Sequence, residues 1–142
     1  MQTWLIFSIL SALMASLVAI FGKLGLKNID STLATTIRSI VMALFLIITS
    51  FVLRKFDGFS FQSMVLKDWI LIILAGIAGA LSWLFYFFAL KSGDATKVVA
   101  IDRLSLVFVA ILAFLFLGET LNWQEMIGVA MMVGGAIIVS MF

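Results

Sequence analysis

Long apolar runs, interrupted by short polar clusters, dominate the chain. Five of them are long enough to cross the hydrocarbon core of a membrane, which takes about 20 mostly apolar residues in a helix. The first extends from about Thr3 to Gly22 without a charge. The second, from about Thr32 to Leu53, contains one charge, Arg38. The third, Trp69 to Leu90, is again uncharged. The fourth, from about Lys97 to Leu117, contains Asp102 and Arg103, and the fifth, Trp123 to Phe142, has Glu125 in its first turn. A β-barrel would show short alternating strands, so these continuous runs predict helices. The first run lacks the Lys/Arg n-region of a signal peptide and more spans follow it, so it is expected to be retained.

The polar clusters supply the punctuation. Asp30 and Ser31 can cap the second helix. Gly118 suits the stop of the fourth, and Asn122 with Glu125 has the spacing of a capping box before the fifth. Trp4, Trp69 and Trp123 open alternate spans on one side, where indoles favour the headgroup level. The expectation is an all-α, polytopic membrane protein: a five-helix bundle forming one domain over 1–142, without linker or internal repeat.

Composition sharpens this picture by exclusion. Of the 142 residues, 65% are hydrophobic and 11% charged, whereas a soluble domain carries about 25% charge. There is too little polar surface to cover a water-soluble fold, and too much apolar content for disorder. A net charge of +2 is no footprint for nucleic acid. With neither Cys nor His, disulfides, thiol nucleophiles, most zinc and haem sites and the usual general base are gone. No catalysis, metal or cofactor is expected. The partners left are the lipid bilayer and a small-molecule substrate.

Charges within the spans are the candidate chemistry. Each costs at least ~2.5–3.5 kcal/mol at a helix centre. Arg38 lies about six residues into span two, roughly 9 Å deep at 1.5 Å per residue, and Asp102 and Arg103 lie at similar depth in span four. All three sit toward the side holding the loops after spans one and three. Arg38 and Asp102 are the expected pair. Both arginines can instead snorkel to the headgroups, with Asp102 neutralising one of them. As a site, two guanidiniums and one carboxylate favour a substrate with a carboxylate or phosphate, which Arg binds bidentately. Asp102 could take a substrate amine or carry a coupling proton. In span three, Trp83 and Tyr86, with Ser82 and Phe87, either pack internally or line a substrate cavity. The substrate-binding set is therefore Arg38, Asp102, Arg103, Trp83 and Tyr86, with Asp102 as the coupling residue.

Small residues give spans one, three and five tight packing faces, Ala75 and Gly79 or Gly128 and Gly135 among them. Such faces serve internal packing or a subunit interface. The chain has no Pro, and nothing but Gly obviously breaks a span, so the site is expected on continuous helices. Orientation is nearly undetermined by the positive-inside rule. Lys23, Lys27, Lys91 and Lys97 lie on one side, and Arg54, Lys55 and Lys67 on the other: four against three. Insertion both ways is compatible with that balance.

The ordered features resemble one EamA unit of the drug/metabolite transporter superfamily along nearly the whole chain. ALMASLVAIFGKLGLK (Ala12–Lys27) is similar to the family's opening helix. TLATTIRSIVMALFL (Thr32–Leu46) sets Arg38 where members carry an Arg. GALSWLFYFFALKSGDATKVVAI (Gly79–Ile101) resembles the aromatic end and turn of span three. LVFVAILAFLFLGETLNWQEMIGVAMMVGGAIIV (Leu106–Val139), with its Leu-Gly-Glu stop and Gly-Gly pair, is the nearest part. There are departures. Members often have Ser-Pro where this chain has Ser105-Leu106, so the resemblance implies no proline kink here. Smaller multidrug relatives carry a Glu in span one that is absent here, and their exchange mechanism is not implied. Most members have two inverted units and ten spans; this chain has one.

The resemblance implies a multi-pass transporter in a bacterial or archaeal plasma membrane. It would move a small polar metabolite, an amino acid or organic anion, and many relatives are exporters. An inverted-repeat site lies between oppositely oriented halves. With near-balanced loop charges, this predicts alternating access by an antiparallel homodimer. The alternative is a non-transporting membrane subunit, or half of a heteromeric transporter or lipid-carrier flippase.

Overall fold

The structure is a computed structural model, describing residues 3–60 and 64–142. It contains six helices and no strand among the described residues: α1 (Thr3–Gly25), α2 (Ser31–Val52), α3 (Leu66–Ser92), α4 (Ala95–Asp102), α5 (Ser105–Leu117) and α6 (Trp123–Met141). Four are membrane-length by themselves, and α4 with α5 makes the fifth candidate span, Ala95–Leu117. The predicted loop from Arg54 to Asp68 lies partly outside the described residues, at 61–63.

The chain groups into two compact units. One comprises residues 1–24 and 92–142, the other residues 25–91. In the first, α4 packs against α6, and the Lys23 ammonium at the end of α1 donates to the Gly93 carbonyl at 2.8 Å. In the second, the Lys91 ammonium at the end of α3 donates to the Ile29 carbonyl at 3.2 Å. Few side chains are buried: Ala19 and Ala136 in the first unit, Leu26, Ser31, Thr35, Phe87 and Leu90 in the second. Large apolar side chains stand outward along every span, Val52 at 76% and Phe116 at 80% exposure among them. A soluble monomer rarely exposes apolar patches beyond a few hundred Å², so lipid is the solvent these surfaces fit.

Hydroxyls enter the spans cheaply because they bond their own helix. Thr35 Oγ1 donates to the Ser31 carbonyl at 2.7 Å, Thr49 Oγ1 to Phe45 at 2.8 Å and Ser8 Oγ to Trp4 at 2.9 Å. Each satisfies its donor without a second helix.

The helix ends follow local chemistry. The Asp30 carboxylate accepts from Thr32 N–H at 2.8 Å and Leu33 N–H at 3.1 Å, capping α2. Ser31 takes no part in the cap, contrary to expectation. It is already the first helical residue, and its buried hydroxyl has no hydrogen bond among the described residues. Asn122 and Glu125 form the reciprocal capping box at α6. Gly118 ends α5 at φ 68°. The end of α2 is less expected. Arg54 adopts φ 51°, with Arg54 N–H bonding Phe51 at 3.0 Å and Lys55 N–H bonding Ser50 at 2.9 Å. This is a Schellman stop, with Arg where Gly is usual.

The Asp30 carboxyl is held below its ordinary value of 3.8, first by the Leu33 amide, then by Thr32 and the nearby charge of Lys91, against some desolvation. A depressed folded-state pKa contributes stability above the unfolded value, lost as pH falls through the folded one. The Tm difference between wild type and Asp30→Ala is therefore expected to hold from about pH 8 down to about pH 5 and to shrink below 3.8. A difference that grows on acidification would show that Asp30 does not cap as a carboxylate.

One expectation needs correction. Span four is not a continuous helix, although it contains neither Pro nor Gly before Gly118. Arg103 (φ −65°, ψ −13°) and Leu104 (φ −63°, ψ −15°) tighten the backbone between α4 and α5. Leu104 N–H bonds Ile101 at 2.9 Å, Leu106 bonds Arg103 at 3.1 Å and Val107 bonds Leu104 at 3.0 Å, each three residues back rather than four. Such a mid-span 3₁₀ step often marks a functional joint.

Candidate functional site

Two clusters carry the candidate side chains, one in each unit. In the second unit, Arg38 sits in the second turn of α2, on the stripe that starts with buried Ser31 and Thr35. Its side chain reaches α3. The guanidinium carbon lies 3.7 Å from the centroid of the Trp83 ring and 5.5 Å from that of Phe87. Trp83, Tyr86 and Phe87 are spaced i, i+3, i+4 and so share one face of α3. Trp83 meets Tyr86 edge-on at 5.4 Å and Phe87 at 6.1 Å. Phe87 is buried and Leu90 beneath it fully so, which fixes the floor of the cluster; Trp83, Tyr86 and Arg38 remain half-buried.

This geometry gives Arg38 a defined position. The positive guanidinium rests on the electron-rich indole face, an attraction of about 0.5–2 kcal/mol depending on desolvation. Stacking uses the flat face of the fork and leaves its N–H edge in plane. Within this unit that edge has no hydrogen-bond partner among the described residues. Five donors in a rigid fork, oriented by an aromatic support, suit a carboxylate or phosphate.

Phe87 belongs to this cluster as a second wall for Arg38, outside the substrate-binding set expected from sequence. Its spacing from Trp83 was the available signal.

In the first unit, Asp102 and Arg103 are adjacent at the joint between α4 and α5, and both are exposed. They form no ion pair with each other among the described residues. Arg38 and Asp102, the expected pair, belong to different units. The first unit also has a cleft of about 370 Å³ between α5 and α6, lined by Leu106, Val109, Ala113, Glu119, Glu125 and Val129 among others. Glu125 there is engaged in the capping box, accepting from Asn122 N–H at 2.7 Å.

A family model described as the EamA-like transporter family matches residues 2–141. A Sinorhizobium protein described as an uncharacterized transporter in the cobO 3′ region is 40% identical over 141 residues, covering 99% of each chain. No solved structure matches.

Proposed function

The chain belongs to the EamA-like transporter family, and from that membership we propose that it moves a small polar metabolite with a carboxylate or phosphate group. An amino acid or organic anion fits, exported by alternating access in an antiparallel homodimer. It is an integral, multi-pass membrane protein, and its bacterial relative points to the plasma membrane.

The observation that carries the substrate class is Arg38 stacked on Trp83 at 3.7 Å with its N–H edge unengaged within its unit. Arg38 takes the anionic group, Trp83 and Phe87 hold the guanidinium in place, and Tyr86 braces Trp83. Asp102 is the coupling residue, and Arg103 adds positive charge beside it.

Two observations support the paired assembly. The relative, matched over 99% of its length, is a single unit of the same size, whereas an inverted-repeat pathway needs two halves of opposite orientation. Moreover, a Cβ added at Gly76, Gly79, Gly128, Gly134 or Gly135 would meet nothing within 4 Å. Among the described residues, each of these small-residue faces, on α3 and on α6, is open within its own unit, which favours its use between subunits. A lipid-carrier flippase would use the same Arg38 chemistry on a phosphate headgroup.

A thermal-shift screen tests the substrate class. Purified protein is expected to gain stability with carboxylates or phosphates of metabolite size and not with their amides or neutral esters. Stabilisation by uncharged analogues alone would refute the anionic assignment.

A further inference from the structure

The Arg38 cluster holds one positive charge and nothing to balance it. Arg38 is the one charged residue of α2, and those of α3, namely Lys67, Asp68 and Lys91, stand in its first turn and at its end. The whole unit, residues 25–91, contains three acids: Asp30, Asp57 and Asp68. Asp30 precedes Arg38 by eight residues, roughly 12 Å at 1.5 Å per residue, and its carboxylate is held by the Thr32 and Leu33 amides. Asp68 precedes Trp83 by fifteen residues on α3, roughly 22 Å by the same rise, and accepts from Val65 N–H. Asp57 lies past the end of α2 at Val52, which is itself fourteen residues beyond Arg38, roughly 21 Å.

What borders the guanidinium is ring carbon. Its central atom lies 3.7 Å from the Trp83 centroid and 5.5 Å from that of Phe87, and Tyr86 meets both rings at 5.4 and 6.1 Å. The polar handles of these rings are an indole N–H, which only donates, and a phenol. The hydroxyls nearest in sequence, Thr35 and Ser39, donate to the Ser31 and Thr35 carbonyls of their own helix and carry no charge. A ligand's carboxylate is therefore matched here, but its ammonium is not. A second cation beside Arg38 meets like-charge repulsion, and a charge taken from water without a partner is costly. A second carboxylate is equally unmatched, because one guanidinium balances one negative charge.

We infer that the Arg38 site selects a monocarboxylate with an apolar body, in preference to a zwitterionic amino acid or a dicarboxylate. This rests on the reading of Arg38 as the anion-binding residue and narrows its substrate class. The fork takes the carboxylate, and the Trp83–Tyr86–Phe87 face takes the carbon chain.

The test is a thermal-shift titration of the purified full chain near pH 7.5 at constant ionic strength. Its probes are pentanoate, norvaline, glutarate, propionate and pentanamide. Norvaline adds an α-ammonium to pentanoate and glutarate a second carboxylate, while propionate removes two methylenes. Pentanoate is expected to give a saturable rise in Tm. Norvaline and glutarate are each expected to bind at least tenfold more weakly. Propionate is expected to bind roughly tenfold more weakly, from about fourfold per methylene buried. Norvaline or glutarate binding as tightly as pentanoate overturns the inference, and so does propionate binding as tightly. If that equality is found while pentanamide gives no shift, and Arg38→Gln abolishes the response to the acids, the anionic reading of Arg38 survives and the narrower class alone is lost. Pentanamide matching pentanoate, or no response to any of the acids, removes both. The comparisons that decide the class use the wild-type chain, so none depends on a variant folding.

Discussion

Arg38→Gln is expected to lower substrate flux in proteoliposomes by at least tenfold while leaving the protein folded. A charge-assisted hydrogen bond contributes about 1.5–3 kcal/mol, and every 1.4 kcal/mol is a factor of ten. Losing a bidentate contact therefore reaches between roughly tenfold and a hundredfold. Stability should change little or rise, because the substitution removes a cation from an apolar span where its position is costly. Two further variants separate charge from geometry. Arg38→Lys keeps the charge but loses the planar fork and its stacking, so flux should stay several-fold below wild type. Trp83→Ala keeps Arg38 but removes its support at 3.7 Å, and should cost less than Arg38→Gln, about 0.5–2 kcal/mol. Full flux in Arg38→Gln would remove Arg38 from the pathway.

A second large effect concerns orientation. Lys55→Gln with Lys67→Gln leaves one positive loop residue on that side against four on the other, enough to bias insertion one way. Lys27→Gln and Lys97→Gln, combined with Asp57→Lys, reverse the bias to two against four. If the working unit is an antiparallel pair, each variant expressed alone should lose transport to background, and co-expression should restore it to the order of the wild type. Engineered cysteines at Ser60 and Ser92 report the outcome directly: each should label from both faces in the wild type and from one face in each biased variant. Full transport by either biased variant alone would end the antiparallel model. The lysines chosen for removal make no side-chain hydrogen bond among the described residues, unlike Lys23 and Lys91.

The spans could be read from hydrophobic run length because lipid imposes that length. α1, α2 and α6 begin and end within three residues of the expected bounds. α3 is longer than its apolar run: Leu66, Lys67 and Asp68 form its first turn, with the Asp68 carboxylate accepting from Val65 N–H at 3.2 Å. Hydropathy stops at such charges, whereas a helix continues through them until its backbone is capped. The joint at Arg103–Leu104 left no such trace. No residue there forbids an α-helix, and the change is a small rotation of ψ toward −13° and −15° that exchanges one hydrogen-bond register for another. The site divided in the same manner. Arg38, Trp83 and Tyr86 could be named because charge and aromatics are conspicuous in an apolar span. Phe87 could be named beside them but not placed in the binding set, because a phenylalanine in an apolar span carries no polar handle, and its contact with Arg38 and its burial are what distinguish it.

The two ammonium-to-carbonyl ties, Lys23 to Gly93 and Lys91 to Ile29, bear on how one sequence could serve both ways up. Each joins a cation to an uncharged backbone carbonyl, so neither tie depends on a second ionisable side chain. The chain has no histidine to register an acid medium and no cysteine to register an oxidising one. In an antiparallel pair the same two ties would hold the connecting segments on either face of the membrane.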